Sequence, residues 1–529
     1  MCLSPRPTAK TTSTSLESTE ANIHAPVERD GNSLEPVSTA QFAFMTLVGV
    51  PIWLTFLVPL TLIYQVGNAI KSAVFSSKDD ENSSAFVLDS GYQVDAKDII
   101  PQKDRKYDVV MLGATGFTGQ LAVRHLAKTY GCSGENGVNW AVAGRSKDKL
   151  NKVLQTLADE LKMPKLLETP IIVVDTAVAS TLPNLVRDTK AVVTTVGPFR
   201  KYGSGVVEFC AKFGTHYADI TGEEDWGQVM MQQWQPTAQA TGAKILHFCG
   251  CDSVPWDLTV FQMTVFLSQK GEDLVSVQCF DEIKTNPSGG TLETMKLCLG
   301  AKDLPSLKEG VPEPFRCSPQ GNEHTSPVTA KLPSWISKVE LPWSSQPSYG
   351  AFFVMSLVNS KVVAWSQALR QGAPLTYSEC AANPDWKTAF TNFFGTVAFF
   401  TAILNPITGG LLYKYVLPAP GQGPSMQTMT QDSFASVYAQ GTGTKGSKVE
   451  ALIYFKGCVG YLETARMLVE SGLALALSPR DQLPSTEKGG FFSPSYGLGT
   501  ALLERLMQTG TQFTVRSFEE GETRLNKIQ

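Results

Sequence analysis

This 529-residue chain has no cysteine pair with the spacing of a redox or zinc motif. Its ten cysteines are scattered, and the nearest two, Cys249 and Cys251, stand too close for a CxxC site. Five histidines without a repeated spacing supply no metal-ligand pattern either, so no metal is expected. Unpaired thiols fit a reducing compartment. An excess of basic charge is also missing. The net charge is -4 and charged residues are 18% of the chain, so no nucleic-acid partner is expected. A single core does not grow to this length, so two or three domains are expected.

Charge is absent altogether between Glu35 and Lys71. Within that gap Phe42 to Tyr64 supplies the ~20 apolar residues that a bilayer-spanning helix needs. Pro51 and Pro59 are tolerated better in lipid than in water. The reading is therefore a disordered tail over residues 1–36, rich in Ser, Thr, Glu and Pro, then a transmembrane helix over 37–70 and a polar linker over 71–104. A buried core helix is the alternative. Arg29 on one side, against Lys71 and Lys78 on the other, mildly favours a body facing the cytosol. The sequon at Asn82 would report the opposite orientation.

From Tyr107 short apolar runs alternate with helical patterns, which implies a parallel sheet covered on both faces. The expected fold class is α/β, a Rossmann-type domain over residues 105–266. A second α+β domain with a mainly antiparallel sheet follows over 267–529. VSVQCF, SKVVAW, MTQDSFASVYAQG and SKVEALIYFKG are read as its strands, the last two joined as a hairpin through GTGTKGS. Inside it, the charge-poor segment 388–417 is interrupted at Asn405–Pro406 and Gly409–Gly410. A membrane-associated helix ending near Asn405, a turn and an apolar return are expected, with Phe393, Phe394, Phe399, Phe400, Leu411 and Leu412 exposed.

The stretch YDVVMLGATGFTG places Gly113, Gly116 and Gly119 three residues apart between a strand and a helix. This follows the logic of a dinucleotide fingerprint: a tight turn, close approach of a pyrophosphate, and close helix–strand packing. Thr115 and Thr118 add hydroxyl donors. At the end of the second strand an NAD site would carry an acid, whereas AGRSKDKL offers Arg145 and Ser146. A guanidinium there can pair with a 2′-phosphate, so NADP(H) is the expected cofactor. None of the 14 tyrosines has lysine four residues later, which argues against a short-chain dehydrogenase.

GATGFTG, AGRSKDKL, VGPFRKYG, THYADITGE and CGCDSVPWDL, with SGGTLETM, PGQGPSM and YLETARMLVESGLALAL further on, make the chain resemble the saccharopine dehydrogenase-like oxidoreductases and the related trans-acting enoyl reductases. The resemblance runs from about residue 105 to the end. It implies a Rossmann domain, association with membranes or lipid droplets, and a place in lipid or glycolipid metabolism. The expected cofactor-binding set is Gly113, Thr115, Gly116, Phe117, Thr118, Gly119, Arg145, Ser146, Asp175, Gly197 and Pro198. Tyr202 is a weak candidate for proton donor. Asp219 and Glu223 are expected either to orient substrate or to cap the next helix through Thr221 and Glu224. Asp252 and Asp257 are expected to fix a turn and a helix start, and His216 and His247 to be structural.

The expected function is a membrane- or droplet-associated NADP(H)-dependent oxidoreductase acting on an apolar, lipid-like substrate. A nucleotide-binding scaffold without catalysis and a saccharopine-type amino-acid dehydrogenase stay open as alternatives, as does a homodimer.

Overall fold

The computed structural model describes Val27, Arg29, residues 31–74 and 89–285, Gly289, Leu292, and residues 328–331, 333, 335–341, 347–419, 421–485 and 488–518. Residues 1–26 of the expected tail, residues 75–88 of the expected linker and the Asn82 sequon lie outside this set.

An apolar helix, α1 (Thr39–Val66), comes first and is long and apolar enough to cross a membrane. Helical structure continues from it to Val74. A seven-stranded sheet follows. Its strands are β1 (Tyr107–Leu112), β2 (Trp140–Gly144), β3 (Ile171–Val173), β4 (Thr189–Thr194), β5 (His216–Asp219), β6 (Lys244–Leu246) and, far later in the chain, β14 (Gly490–Phe492). Their order is β14-β6-β5-β4-β1-β2-β3, and every pair is parallel. This is the expected doubly wound arrangement, and the order reverses between β1 and β4, where such sheets open a ligand crevice. The alternating pattern is met by α2 (Phe117–Tyr130), α3 (Lys147–Leu161), α4 (Ser204–Phe213) and α5 (Glu224–Thr241). Strand β1 buries Asp108 through Leu112, as expected of a strand with both faces covered.

After α6 (Val254–Ser268) comes the second sheet. It holds β7 (Leu274–Lys284), β8 (Val328–Lys331), β9 (Ser337–Val339), β10 (Ser348–Ala351), β11 (Leu375–Asn383), β12 (Phe434–Gly443), β13 (Lys448–Phe455) and β15 (Gln512–Ser517). The sheet is mainly antiparallel, with the β12–β13 hairpin in place; β7 and β8 run parallel to β11. SKVVAW is not a strand. It lies inside helix α7 (Ser356–Leu369), where Val362, Val363 and Trp365 are all buried. A short apolar run is ambiguous between the two periods, and packing against α6 decides for the helix. The first three residues of MTQDSF, Met429 to Gln431, likewise belong to a helical turn, Met426–Gln431, before β12 begins.

The segment expected to break near Asn405 does so. Helix α8 (Trp386–Leu404) and helix α9 (Pro406–Tyr415) meet at a bend of 101°. Asn405 caps α9, its side-chain oxygen accepting from the amides of Ile407 and Thr408 at 3.0 and 3.2 Å. The four phenylalanines expected to be exposed, and Leu412 with them, are half-buried instead. Trp53 packs edge-on to Phe394 and Trp335 edge-on to Phe393. The exposed apolar residues here are Leu404, Ile407, Leu411, Tyr415 and Val416.

A division at residue 267 is not a clean cut. Helix α10 (Thr464–Leu477) and β14 return to the first sheet, and α11 (Gly499–Gln508) packs on α10. Gly472 allows this closeness, since a Cβ there would stand 2.2 Å from Val193 Cγ1 of β4. Some residues within the expected tail and linker pack on the body. Val27 is buried in a cluster on the second sheet, and Arg29 pairs with Glu282 of β7. Tyr92 packs on Phe209 of α4, and Ser90 donates its backbone amide to Glu208 at 3.0 Å.

Candidate functional site

Four strand ends of the first sheet meet at one edge. Gly113, at φ +90°, turns the chain away from β1, and its amide donates to Ala143 O of β2 at 3.0 Å. A Cβ on Gly119 would fall 2.1 Å from Gly113 O, so the first turn of α2 lies directly on the loop. Gly116 stands at the start of α2 and no side chain caps that helix. The free amides of its first turn, with the helix dipole behind them, form an anion-binding end. Thr115 is exposed, and Phe117 and Thr118 are half-buried on the rim.

Past β2, Arg145 is exposed and therefore available to a ligand. Ser146 is occupied: its hydroxyl caps α3 by accepting from the Lys149 amide at 3.3 Å. Val174 donates to Gly144 O at 3.0 Å, which brings the neighbouring Asp175 to the same edge. Asp175 uses one carboxylate oxygen to accept from the Ala177 amide at 3.0 Å, a turn contact. From β4, Thr195 and Val196 crowd Gly113, and the Gly197–Pro198 peptide, which is cis, follows them. The structure thus gathers Gly113, Arg145, Asp175 and Gly197–Pro198 at one edge.

Glu223 stands at the N-cap position of α5, where its amide donates to Thr221 Oγ1 at 2.9 Å, but its side chain does not cap that helix. It is fully buried and accepts from the amides of Phe199 at 2.6 Å and Arg200 at 2.9 Å, and from Arg200 Nε at 3.2 Å. Burial pushes its carboxyl up against the lowering pull of these bonds. Asp225 takes the other end of the Arg200 side chain through two contacts of 2.9 Å. Glu223 therefore holds the turn that begins after Pro198. Tyr202 ends that turn half-buried, with Lys201 Nζ 5.2 Å from its ring centre. Asp219 accepts from Tyr217 at 2.9 Å and contacts His247 Nδ1 at 2.7 Å, a buried structural cluster. His216 accepts from the Lys244 amide at 3.0 Å, and burial lowers its pKa to about 3. Asp257 binds Ser366 and Ser495, fixing the start of α6. Asp252 has its carboxyl raised to about 6 by burial, and a Cβ on Gly222, after β5, would lie 3.1 Å from it.

Sequence reasoning missed two features. The first is a cover over the glycine loop. Tyr461 meets Phe117 edge-on at 5.4 Å, and Gly423 lies so close that a Cβ there would fall 2.5 Å from the Phe117 ring. Gly289 donates to Gln422 O at 3.1 Å, and the Tyr413 hydroxyl of α9 donates to Leu292 O at 2.7 Å. The bent apolar helices thus connect to the glycine turn through Leu292 and Gly289, both helical, and the loop at Gln422 and Gly423.

The second is a buried acid pair, Asp281 of β7 and Glu379 of β11, set on neighbouring parallel strands. Trp256 Nε1 donates to Asp281 at 2.7 Å, while Tyr377 and Asn359 donate to Glu379 at 2.5 and 2.8 Å. Burial raises Glu379 to about 7 and Asp281 well above its ordinary value. The available signal was an acid within each of the apolar runs VSVQCFDEIK and LTYSECAAN.

A family model described as the saccharopine dehydrogenase NADP-binding domain matches residues 109–246. The trans-acting enoyl reductase of Mycobacterium bovis (strain BCG) is 32% identical over 431 residues, covering 77% of this chain and 97% of that protein. The trans-acting enoyl reductase of Mycobacterium leprae is 32% identical over 426 residues, with the same two coverages. Among solved structures, apo saccharopine dehydrogenase (L-Glu forming) from Saccharomyces cerevisiae covers 78% of this chain and 99% of its own, at 11% identity and a TM-score of 0.44. The chain belongs to the saccharopine dehydrogenase-like oxidoreductases, beside the trans-acting enoyl reductases, and its cofactor is NADP(H).

Proposed function

We propose that the protein is an NADPH-dependent reductase of an apolar acyl substrate bearing a carbon–carbon double bond conjugated to its carbonyl. The observation that carries this is the line of contacts from α9 through Leu292, Gly289 and Gln422 to the loops that cover Phe117. It joins an apolar surface to the glycine turn, and the relatives at 32% identity are enoyl reductases.

Gly113, Gly116, Phe117, Thr118 and Gly119 would hold the pyrophosphate, with Thr115 on the exposed side. Arg145 would pair with the 2′-phosphate, while Ser146 contributes through its cap on α3. Asp175, Gly197 and Pro198 line the edge beyond. The residues fit such a cofactor because the start of α2 is uncapped, the turn cannot hold a Cβ at Gly119, and Arg145 is exposed. Bound NADPH supplies a hydride. Glu223 keeps the Phe199–Tyr202 turn in place against the reacting edge, and the cover of Tyr461 and Gly423 excludes water.

The test is cofactor-dependent reduction of a medium-chain enoyl thioester, with NADPH oxidation as readout. Arg145→Ala should remove a charge-assisted contact of roughly 1.5–3 kcal/mol, about 10- to 150-fold in NADPH affinity, and leave NADH binding unchanged. Equal losses for both cofactors would take Arg145 out of this role. Tight NADPH binding without turnover of any enoyl substrate would favour a nucleotide-binding scaffold.

A further inference from the structure

Both flanks of α1 are fastened to the same body. Ahead of it, Val27 is buried on the second sheet, Arg29 pairs with Glu282, and the Leu34 amide donates to Glu282 at 2.6 Å. The Val37 amide donates to Thr388 of α8 at 3.0 Å. Behind it, the Ser90 amide and Tyr92 are held on α4 of the first sheet. A crossing by α1 would leave the chain on the far side of the bilayer at its end. The chain would then have to return within residues 75–88, fourteen residues that contain Lys78, Asp79, Asp80 and Glu81 in succession. That is shorter than the ~20 apolar residues a second crossing needs.

α1 runs alongside α8 in the same direction. Phe42 meets Trp386 and Phe390, Trp53 meets Phe394, and Thr61 lies 3.5 Å from Asn405 at the bend. α8 and α9 are also held at both ends, since β11 precedes α8 and β12 follows α9. Every helix of this group therefore leaves and rejoins one body.

Their outer surfaces suit lipid rather than another protein. Leu47, Phe56 and Ile63 of α1 are 76%, 70% and 69% exposed, and Ile407 and Tyr415 of α9 are 61% and 69% exposed. No charged residue occurs between Glu35 and Lys71 or between Lys387 and Lys414, so the charged rim of an ordinary protein interface is missing. Several threonines find partners inside their own helices: Thr46, Thr55 and Thr61 donate to Phe42, Pro51 and Leu57 carbonyls at 2.9, 2.7 and 2.8 Å. Thr396 and Thr401 of α8 do the same to Asn392 and Val397. Hydroxyls in hydrocarbon require such internal partners.

We infer that α1, α8 and α9 form one monotopic element that enters a single lipid leaflet, so that α1 does not cross, and that its natural surface is a phospholipid monolayer or one face of a bilayer. At 28 residues α1 is about 42 Å long, more than the ~30 Å hydrocarbon core of a bilayer, so it lies steeply tilted or along the surface. This inference is independent of the reductase reading, because enoyl turnover and leaflet insertion have separate readouts.

The test uses the full chain with a tag ahead of Met1 and another after Gln529, in sealed microsomes and on triolein droplets coated with phosphatidylcholine. A membrane-impermeant protease should remove both tags without detergent, and the chain should also coat the droplets. Protection of one tag and not the other would show a crossing and overturn the inference. A chain that neither pellets with microsomes nor floats with droplets would show that protein covers this surface, and would overturn it as well. The triple variant Leu47→Ser, Phe56→Ser, Ile63→Ser should bind droplets at least ~100-fold more weakly while NADPH binding is unchanged. Undiminished droplet binding would place the lipid contact elsewhere. Should the triple variant lose NADPH binding, Ile407→Ser with Leu411→Ser on α9 carries the same comparison.

Discussion

α10 and α8 are both long apolar helices of the C-terminal half, yet α10 buries twelve of its fourteen residues and α8 only three of nineteen. Their few polar side chains differ in kind. α10 carries Arg466 and Glu470, and each has protein partners: Arg466 pairs with Glu463 and bonds Thr511 at 2.8 Å, while Glu470 meets Arg505 at 2.8 Å and His125 at 2.7 Å. Gly472 lets its backbone settle on β4. After Lys387, α8 has no charge, and Thr396 and Thr401 turn inward to their own helix. Apolarity in a sequence says that a surface will be withdrawn from water. Charged groups with waiting partners, and a glycine at the point of contact, mark the helix that protein covers.

The sharpest way to break this comparison is at the contact glycine. Gly472→Val should overpack α10 against Val193 and destabilise the fold by about 3 kcal/mol or more, seen as a lowered denaturation midpoint. Glu470→Ala follows. It strands Arg505, His125 and the Tyr130 hydroxyl, and should cost about 3 kcal/mol in the same measurement.

A smaller effect concerns pH. The folded Glu379 pKa of about 7 lies above its ordinary 4.5, so the folded state holds a proton that the unfolded chain releases. The stability it contributes is full below about 4.5 and falls as pH rises toward and through 7. Melting temperature should therefore decline between pH 5 and 7.5, and Glu379→Gln, which mimics the protonated acid, should flatten that decline. A slope unchanged by the substitution would assign it to other groups.

The smallest change is expected on the lipid-facing side. Ile407→Ser with Leu411→Ser should move stability in detergent-free buffer by only about 0.5 kcal/mol, because both side chains are already in solvent. A loss of several kcal/mol would erase the distinction between α8–α9 and α10.

Much of the first sheet was legible because its signals are local. A glycine turn, a strand before it and a helix after it are fixed by backbone sterics within about a dozen residues. The break at Asn405–Pro406 was legible for the same reason. SKVVAW was misread because a run of four apolar residues fits both a strand and a buried helix, and only the neighbouring α6 selects the helix. Glu223 was seen, but its role was not, since its partners at Phe199 and Arg200 lie 24 and 23 residues away. The cover of Phe117 by Tyr461 and Gly423 depends on contacts across more than 300 residues, which no local pattern records.

By itself the sequence determined which stretches leave water, where the nucleotide turn lies, and that a cation rather than an acid follows β2. These depend on side-chain chemistry and short-range geometry. Tertiary structure alone decided that residues 464–508 return to the first sheet, that Asp281 and Glu379 become neighbours, and that Val27, Arg29, Leu34 and Val37 ahead of α1 and Ser90 and Tyr92 behind it are fastened to one body. The physical reason is that an apolar helix carries no record of what will cover it. The positions of its two ends, set by ion pairs and core contacts hundreds of residues away, limit which side of a membrane each end can reach.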